Sequence, residues 1–309
     1  MPQRSQLADW DAVAGYDERL AAVERAHDLA AFVPKLSLAD LSRHLRTVAH
    51  VLRGRGSPTS SRLRFLDQPY PPPMEVVFGG GLWPIGRSVG FVELELGSAI
   101  EAYRAWSRGW KPPRPRFERR PDAPLRDQLR ALLPLEMPYT RRLLVGHQTR
   151  WTAIFDNSRG GGDPDPAVAE LARLAGTRGV VAGHMPKGQS AYPATQFHLF
   201  GADGEYVRSI DCGIFDSGRW SFEVQGTEQR FEERDTYSER LIRERFTRPM
   251  LLRYLSALGI DADTPSAYES AVLVQERLVF VRWRASLDEA RAEAIEGIAA
   301  KGRQSSRRR

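Results

Sequence analysis

The sequence predicts an α+β protein: a mixed β-sheet with a β-β-α-β core unit over residues 141–186, an antiparallel meander after it, and a helical N-terminal region. Three observations carry this. Short apolar runs rich in β-branched and aromatic residues recur at Leu143–Val145, Trp151–Phe155 and Val180–Ala182. Between the second and the third lies an apolar stripe at helical spacing, Val168, Leu171, Ala172 and Leu174/Ala175. From 194 to 225, strand-like runs alternate with glycine turns.

At the N-terminus, residues 7–31 read as a helix carrying Leu20, Ala21, Val23 and Ala30. A second helix starts at Ser37, a capping residue with Asp40 three positions on, and shows a face of Leu41, Leu45, Val48, Ala49 and Leu52. His44 and His50 are six apart, which does not fit a zinc pair at i, i+4, so they read as surface or packing residues. Pro69–Pro73 favours extended backbone and reads as a rigid connector. Met74–Phe78 and Ser88–Leu96 read as strands around Gly79-Gly80-Gly81-Leu82-Trp83-Pro84. Three glycines would let a phosphate approach the backbone, but no G-x-x-x-x-G-K-[ST] pattern is present and a hairpin loop accounts for them. Ser98–Arg108 is a helix with Tyr103 and Trp106.

Lys111–Pro124 holds five prolines and a basic run with little to bury. The expected organisation is therefore an N-terminal α+β region 1–110, a linker or surface strap 111–124, a main α+β domain 125–300 and a disordered basic tail 301–309.

In the core unit, Gly146–Thr149 is a turn and Asp156-Asn157-Ser158 closes the second strand. Asp165 is placed to cap the helix, Pro166 suits its first position, and Gly176 suits its end. If the two strands flanking the helix share a sheet, a right-handed crossover makes them parallel. Asp156, Asn157, His184 and the helix N-terminus then lie at one sheet edge, with His147 at the other. After the unit, Ala194–Phe200 and Glu205–Ile210 flank the turn Gly201–Gly204, and Trp220, Phe222 and Val224 alternate with polar residues. Thr236–Phe246 reads as a charged helix, Leu251–Leu258 as another, 272–283 as one or two strands and 287–300 as a last helix.

The formal charge is +6, and 45 − 4 = 41 of the basic residues are arginine. With abundant Ala, Gly and Pro and a single asparagine, this resembles the codon bias of a GC-rich, actinobacterial-type genome. Part of the excess sits in KGRQSSRRR, which reads as a solubilising end before it reads as a nucleic-acid arm. One cysteine, Cys212, excludes an internal disulfide framework and a cysteine-based zinc site. No run reaches the roughly 18–20 apolar residues of a membrane span, and the first residues lack a secretory apolar core. The expected location is cytoplasmic.

The ligand-binding residues predicted are Asp156, Asn157, Gly161, Asp163 and His184, converging at the carboxyl ends of the core strands. Carboxylates with a histidine form a donor set for a divalent metal, but caps and turns consume the same residue types. No metal and no cofactor is assigned. Asp211, Glu223 and Gln225 are similar to the acidic pair of metal-dependent nucleases, with Gln225 where a lysine is wanted. His198 reads as a core histidine. No hydrolase, metalloprotease or dinucleotide motif is present. Sheet, charged helix and the aromatics Trp83, Trp106 and Trp110, read as exposed, together resemble bacterial immunity and other small α+β binding proteins. That resemblance implies a non-enzymatic binding protein engaging a protein partner more readily than a small molecule. The alternatives are a metal-dependent hydrolase or nuclease at the 156–184 edge, and a nucleic-acid binder through the arginine-rich segments 111–120 and 301–309.

Overall fold

The computed structural model describes residues 77–78, 80–110, 113–190, 192–215, 218–276, 281 and 283–296. The chain divides into two compact units, 1–68 and 69–309, and every described residue belongs to the second. The expected helices at 7–31 and 37–52, His44 and His50, the proline cluster and the basic tail lie outside the described residues.

The elements in chain order are β1 (Ser88–Val92), α1 (Leu96–Ser107), β2 (Arg116–Arg119), α2 (Leu125–Arg130), β3 (Leu135–Met137), β4 (Arg141–His147), β5 (Thr152–Asp156), α3 (Asp165–Ala175), β6 (Gly179–Met185), β7 (Ala194–Phe200), β8 (Tyr206–Ile214), β9 (Trp220–Gly226), α4 (Arg248–Ala257), β10 (Tyr268–Gln275), β11 (Trp283–Ala285) and α5 (287–296). Nine strands form one sheet in the order β2-β10-β4-β5-β1-β6-β7-β8-β9, and β3 pairs with β11 separately.

Every ladder of the large sheet is antiparallel, so the sheet is not the expected mixed one. The cause is β1. It inserts between β5 and β6 and pairs antiparallel with both, as in Gly90↔Ile154 and Gly90↔Val181. The two strands flanking α3 point the same way without touching. Their connection crosses an inserted strand, and two glycines let it pass closely: a Cβ at Gly90 would lie 2.5 Å from Val168 Cγ2, and one at Gly179 2.4 Å from Val168 Cγ1. Residues 116–119 of the proline- and arginine-rich stretch form β2, an edge strand paired with β10.

Strand alternation divides the core in two. On one face Ala99 and Tyr103 of α1 and Val168 and Leu171 of α3 pack on Leu144, Ile154, Val181 and Phe200. On the other, Leu125 and Leu129 of α2, Met250, Leu251, Tyr254 and Leu255 of α4 and Ala290 of α5 pack on Val145, Phe155, Val180 and Phe197. Burial of these apolar side chains stabilises the layers by roughly 25 cal/mol per Å² removed from water.

Three further expectations change. The charged segment 236–246 is not an α-helix but two 3-10 turns, Arg234–Ser238 and Ile242–Glu244. It lacks an apolar stripe, and Thr236 Oγ1 donates to Glu233 O, the local bonding that favours turns. Trp83 is buried rather than exposed. Trp106 and Trp110 are half-buried and edge-on to Tyr103, at 5.2 and 6.0 Å between ring centroids. Among the described residues no helix is long and apolar enough to cross a membrane.

Candidate functional site

Beyond α3, the α1/α3 face of the sheet runs out of helices and turns polar. Because β7, β8 and β9 pair antiparallel in fixed register, this face presents two rows across the strands, Gln196–Asp211–Glu223 and His198–Ser209–Gln225. The alternate residues, among them Phe197, Ile210 and Cys212, are buried in the opposite face. Glu223 and Gln225 are exposed, and the other four are half-buried.

His198 is the centre of this face. Its Nδ1 lies 3.0 Å from Asp165 Oδ2, and its Nε2 lies 3.1 and 3.3 Å from the two carboxylate oxygens of Asp211. Asp165 comes from the start of α3, so the cluster ties helix to sheet. Tyr206 donates its hydroxyl to Asp165 Oδ2 at 2.9 Å and sets its ring edge-on to the imidazole at 5.5 Å. Ser209 Oγ and Gln196 Nε2 each donate to Asp211, at 2.8 Å.

Burial opposes charge on His198, but the carboxylates of Asp165 and Asp211 outweigh it and push its pKa up to about 9. The ring is an imidazolium at neutral pH, and both N–H groups donate to carboxylates. For Asp211, burial works upward, but the bonds from His198, Gln196 and Ser209 hold it below the ordinary carboxylate range. Burial and then Asp165 push the Tyr206 phenol up. A cleft of about 360 Å³ opens here, lined by His198, Tyr206, Ser209, Asp211, Gln225 and Gly226.

This chemistry is that of a charged, preorganised surface. An imidazolium with both nitrogens engaged has no lone pair for a proton or a metal. Among the described residues no group of three or more His, Cys, Asp or Glu is placed to hold a metal ion. Asp165 is not the expected cap: the residue before α3 is Pro164, no side chain caps the helix, and the Asp165 carboxylate faces His198 and Tyr206 instead.

The structure places the five predicted residues as follows. Asp156 is buried at the end of β5 and accepts from Ser158 N and Asp163 N, both at 2.9 Å, which folds the following loop back on itself. Asn157 is fully buried; its Oδ1 accepts from Thr140 N and Arg141 N, and its Nδ2 donates to Pro134 O and Glu136 Oε2. Gly161 has φ +87°, and a Cβ there would come within 1.9 Å of Pro84 O. Asp163 keeps much of its surface in solvent, but its carboxyl is partly desolvated, and this, together with Asp165 and Asp156 nearby, pushes its pKa up. These four share one loop. His184 does not join them. Along β5, Ala153 and Phe155 belong to one core and Ile154 to the other, which puts Asp156 on the α1/α3 face. Along β6, Val180 and Ala182 put His184 on the opposite face. There its Nδ1 bonds Thr195 Oγ1 at 3.0 Å, and burial with the Arg248 charge pushes its pKa down to about 4.

A signal for His198 was present in part. Continuing the pair Phe200↔Tyr206 without interruption would set His198 opposite Arg208. An irregularity between Leu199 and Phe200 shifts the register by one, so His198 meets Ser209 and sits beside Asp211. Neither Cys212 nor His147 offers a reactive group in its place. Burial pushes the Cys212 thiol up to about 11 while its Sγ donates to Ile242 O, and His147 bonds Thr149 Oγ1 and Asp261 O. No protein-family model, no curated protein and no solved structure matches this chain.

Proposed function

We propose that this chain is a non-enzymatic binding protein that engages a protein partner through the open face of β7–β9. The observation that carries the reading is the double engagement of His198: the best-formed titratable cluster spends its proton donors and acceptors internally, which preorganises a surface and leaves no free base. Small-molecule sites are mostly apolar, whereas the cleft on this face is lined mainly by polar side chains and rimmed by Tyr206, which is 55% exposed. Tyrosines so placed anchor protein interfaces. A cytoplasmic location, with the Cys212 thiol reduced, belongs to the same reading.

The competing reading, a metal-dependent hydrolase, draws on one observation: Asp211 and Glu223 stand directly opposite each other on β8 and β9. The discriminating experiment is quantitative capture from the source-cell lysate with the full chain, its Glu223→Arg/Gln225→Arg variant, and a control variant on α5. A protein retained by wild type and control but lost by the β9 variant supports the proposal. Identical capture profiles, combined with metal-stimulated hydrolysis that needs Asp211 and Glu223, would overturn it.

A further inference from the structure

We propose that the turn Gly80–Trp83, together with Arg126 and Arg291, is a binding site for a phosphate-class oxyanion. It lies apart from the β7–β9 face and does not depend on it. Two arginines distant in sequence meet at Gly81. Arg291 of α5 donates from Nε to Trp83 O and from Nη2 to Gly81 O, both at 2.8 Å. Arg126 of α2 stands over the same glycine: a Cβ built on Gly81 would meet only its guanidinium, at 3.6 Å from Nη2 and 3.9 Å from Cζ, with nothing else within 4 Å.

Three other buried or partly buried arginines have acids: Arg142 has Glu276, Arg208 has Glu232 and Arg248 has Asp263, whereas the half-buried Arg141 donates to a carbonyl, Leu133 O. Among the described residues neither Arg126 nor Arg291 has a carboxylate partner. Arg87, which ends the same loop, has none either; its Nη1 donates to Gly160 O at 2.8 Å. Trp83, only 8% exposed, has its indole Nε1 buried without any hydrogen-bond partner; Arg126 Nε has none either, a state it shares with the Nε of Arg120, Arg142, Arg208 and Arg248. A buried indole donor is almost always satisfied, so an orphaned one beside arginines that have no carboxylate partner among the described residues points to an acceptor that is itself charged.

The ligand's class follows from the donors. Guanidinium forks match the paired oxygens of phosphate and carboxylate. The charges of two arginines without a carboxylate partner among the described residues favour a dianion, which selects a phosphate group over a single carboxylate. The site is one compact cluster and lacks the spaced cations that a nucleic-acid backbone needs. Gly81 supplies the access that a side chain would close.

The test uses the full chain and inorganic phosphate, with chloride at matched ionic strength as control, read by calorimetric titration and by the thermal unfolding midpoint. Phosphate should bind saturably and raise the midpoint where chloride does not. Arg126→Ala should weaken binding at least tenfold, Arg126→Lys should weaken it less, and Glu223→Arg on the β7–β9 face should leave it unchanged. Gly81→Leu alters no charge and sits at a residue without positive φ, so it should fold and block the site even if Arg126→Ala does not fold. Equal shifts from phosphate and chloride, or phosphate binding by Gly81→Leu at wild-type affinity, would overturn the proposal.

Discussion

The loop after β5 and the open face of β7–β9 are both dense in polar side chains, but they use them differently. In the loop, Asp156 and Asn157 bond mainly to backbone: Ser158 N, Asp163 N, Thr140 N, Arg141 N and Pro134 O. On the open face, His198, Asp165, Asp211, Tyr206, Gln196 and Ser209 bond to one another. A side chain that satisfies buried backbone groups fixes the path of the chain, and its removal strands those groups without solvent. A network between side chains at a half-exposed face fixes charge and shape while the backbone is already held by the sheet. The first region builds the fold, and the second shapes a half-exposed face.

The sharpest way to break this contrast is Asn157→Ala. If the loop is structural, the variant loses stability by about 4 kcal/mol, because two backbone N–H groups and a carbonyl lose their partner in a dry site. Urea unfolding measures it; a loss below about 1 kcal/mol would show that the loop tolerates the change. On the open face, His198→Ala leaves the carboxylates of Asp165 and Asp211 facing each other without their cation. The expected cost is about 3 kcal/mol, reduced from that of a fully buried pair because the side chains keep some solvent. Asp211→Asn in the same background should recover part of it by removing one of the two negative charges, and failure to recover would mean that the ring's packing, not its charge, is what matters.

The two histidines extend the comparison to pH. His184 and His198 lie on paired neighbouring strands but on opposite faces. Burial lowers both; Arg248 lowers His184 further, to about 4, while the carboxylates carry His198 to about 9. Linkage gives the signs. His198, raised in the fold, contributes stability that is fully present below about 6.5 and is lost as pH rises through about 9. His184, kept neutral in the fold, contributes stability that is present above about 6.5 and lost as pH falls through about 4. Each limb is on the order of 3 kcal/mol. His198→Gln should flatten only the alkaline limb of stability against pH, and His184→Gln only the acid limb. A variant that flattens the other's limb would refute the assignment.

Much of the fold was legible in the sequence, because local patterns determine it. The runs read as strands at 143–145, 151–155 and 180–182 and the stripe Val168–Leu171–Ala172 each occupy a few residues, and Gly176, at φ +62°, ends α3 where a left-handed residue is needed. The antiparallel character was not legible, because it depends on β1, whose two partners lie about sixty and about ninety residues downstream. The same non-locality hid the site. Asp156, Gly161 and Asp163 are neighbours in sequence and in space, whereas His184 is separated from them by the parity of its strand. His198 meets Asp211 only through a one-residue shift, and it meets Asp165 only because α3 lies across β1 and β6. Turn chemistry gave Asp165 a sufficient local explanation as a cap, and tertiary pairing overrode it.

Asp165 also gives the smallest and most discriminating test. Serine caps helices about as well as aspartate, so if Asp165 acted mainly on the free N–H groups of α3, Asp165→Ser would be close to neutral. In the structure its carboxylate instead accepts from His198 Nδ1 and Tyr206 Oη at 3.0 and 2.9 Å, beyond the reach of a serine hydroxyl one carbon shorter. Asp165→Ser should therefore cost about 1 kcal/mol, modest because the pair is partly solvated. It should also lower the His198 pKa from about 9, since one of the two carboxylates that raise it is gone. Imidazole resonances followed by NMR against pH report this independently of stability. A serine variant of wild-type stability with an unmoved His198 titration would return Asp165 to the helix cap and leave Asp211 alone to hold the ring.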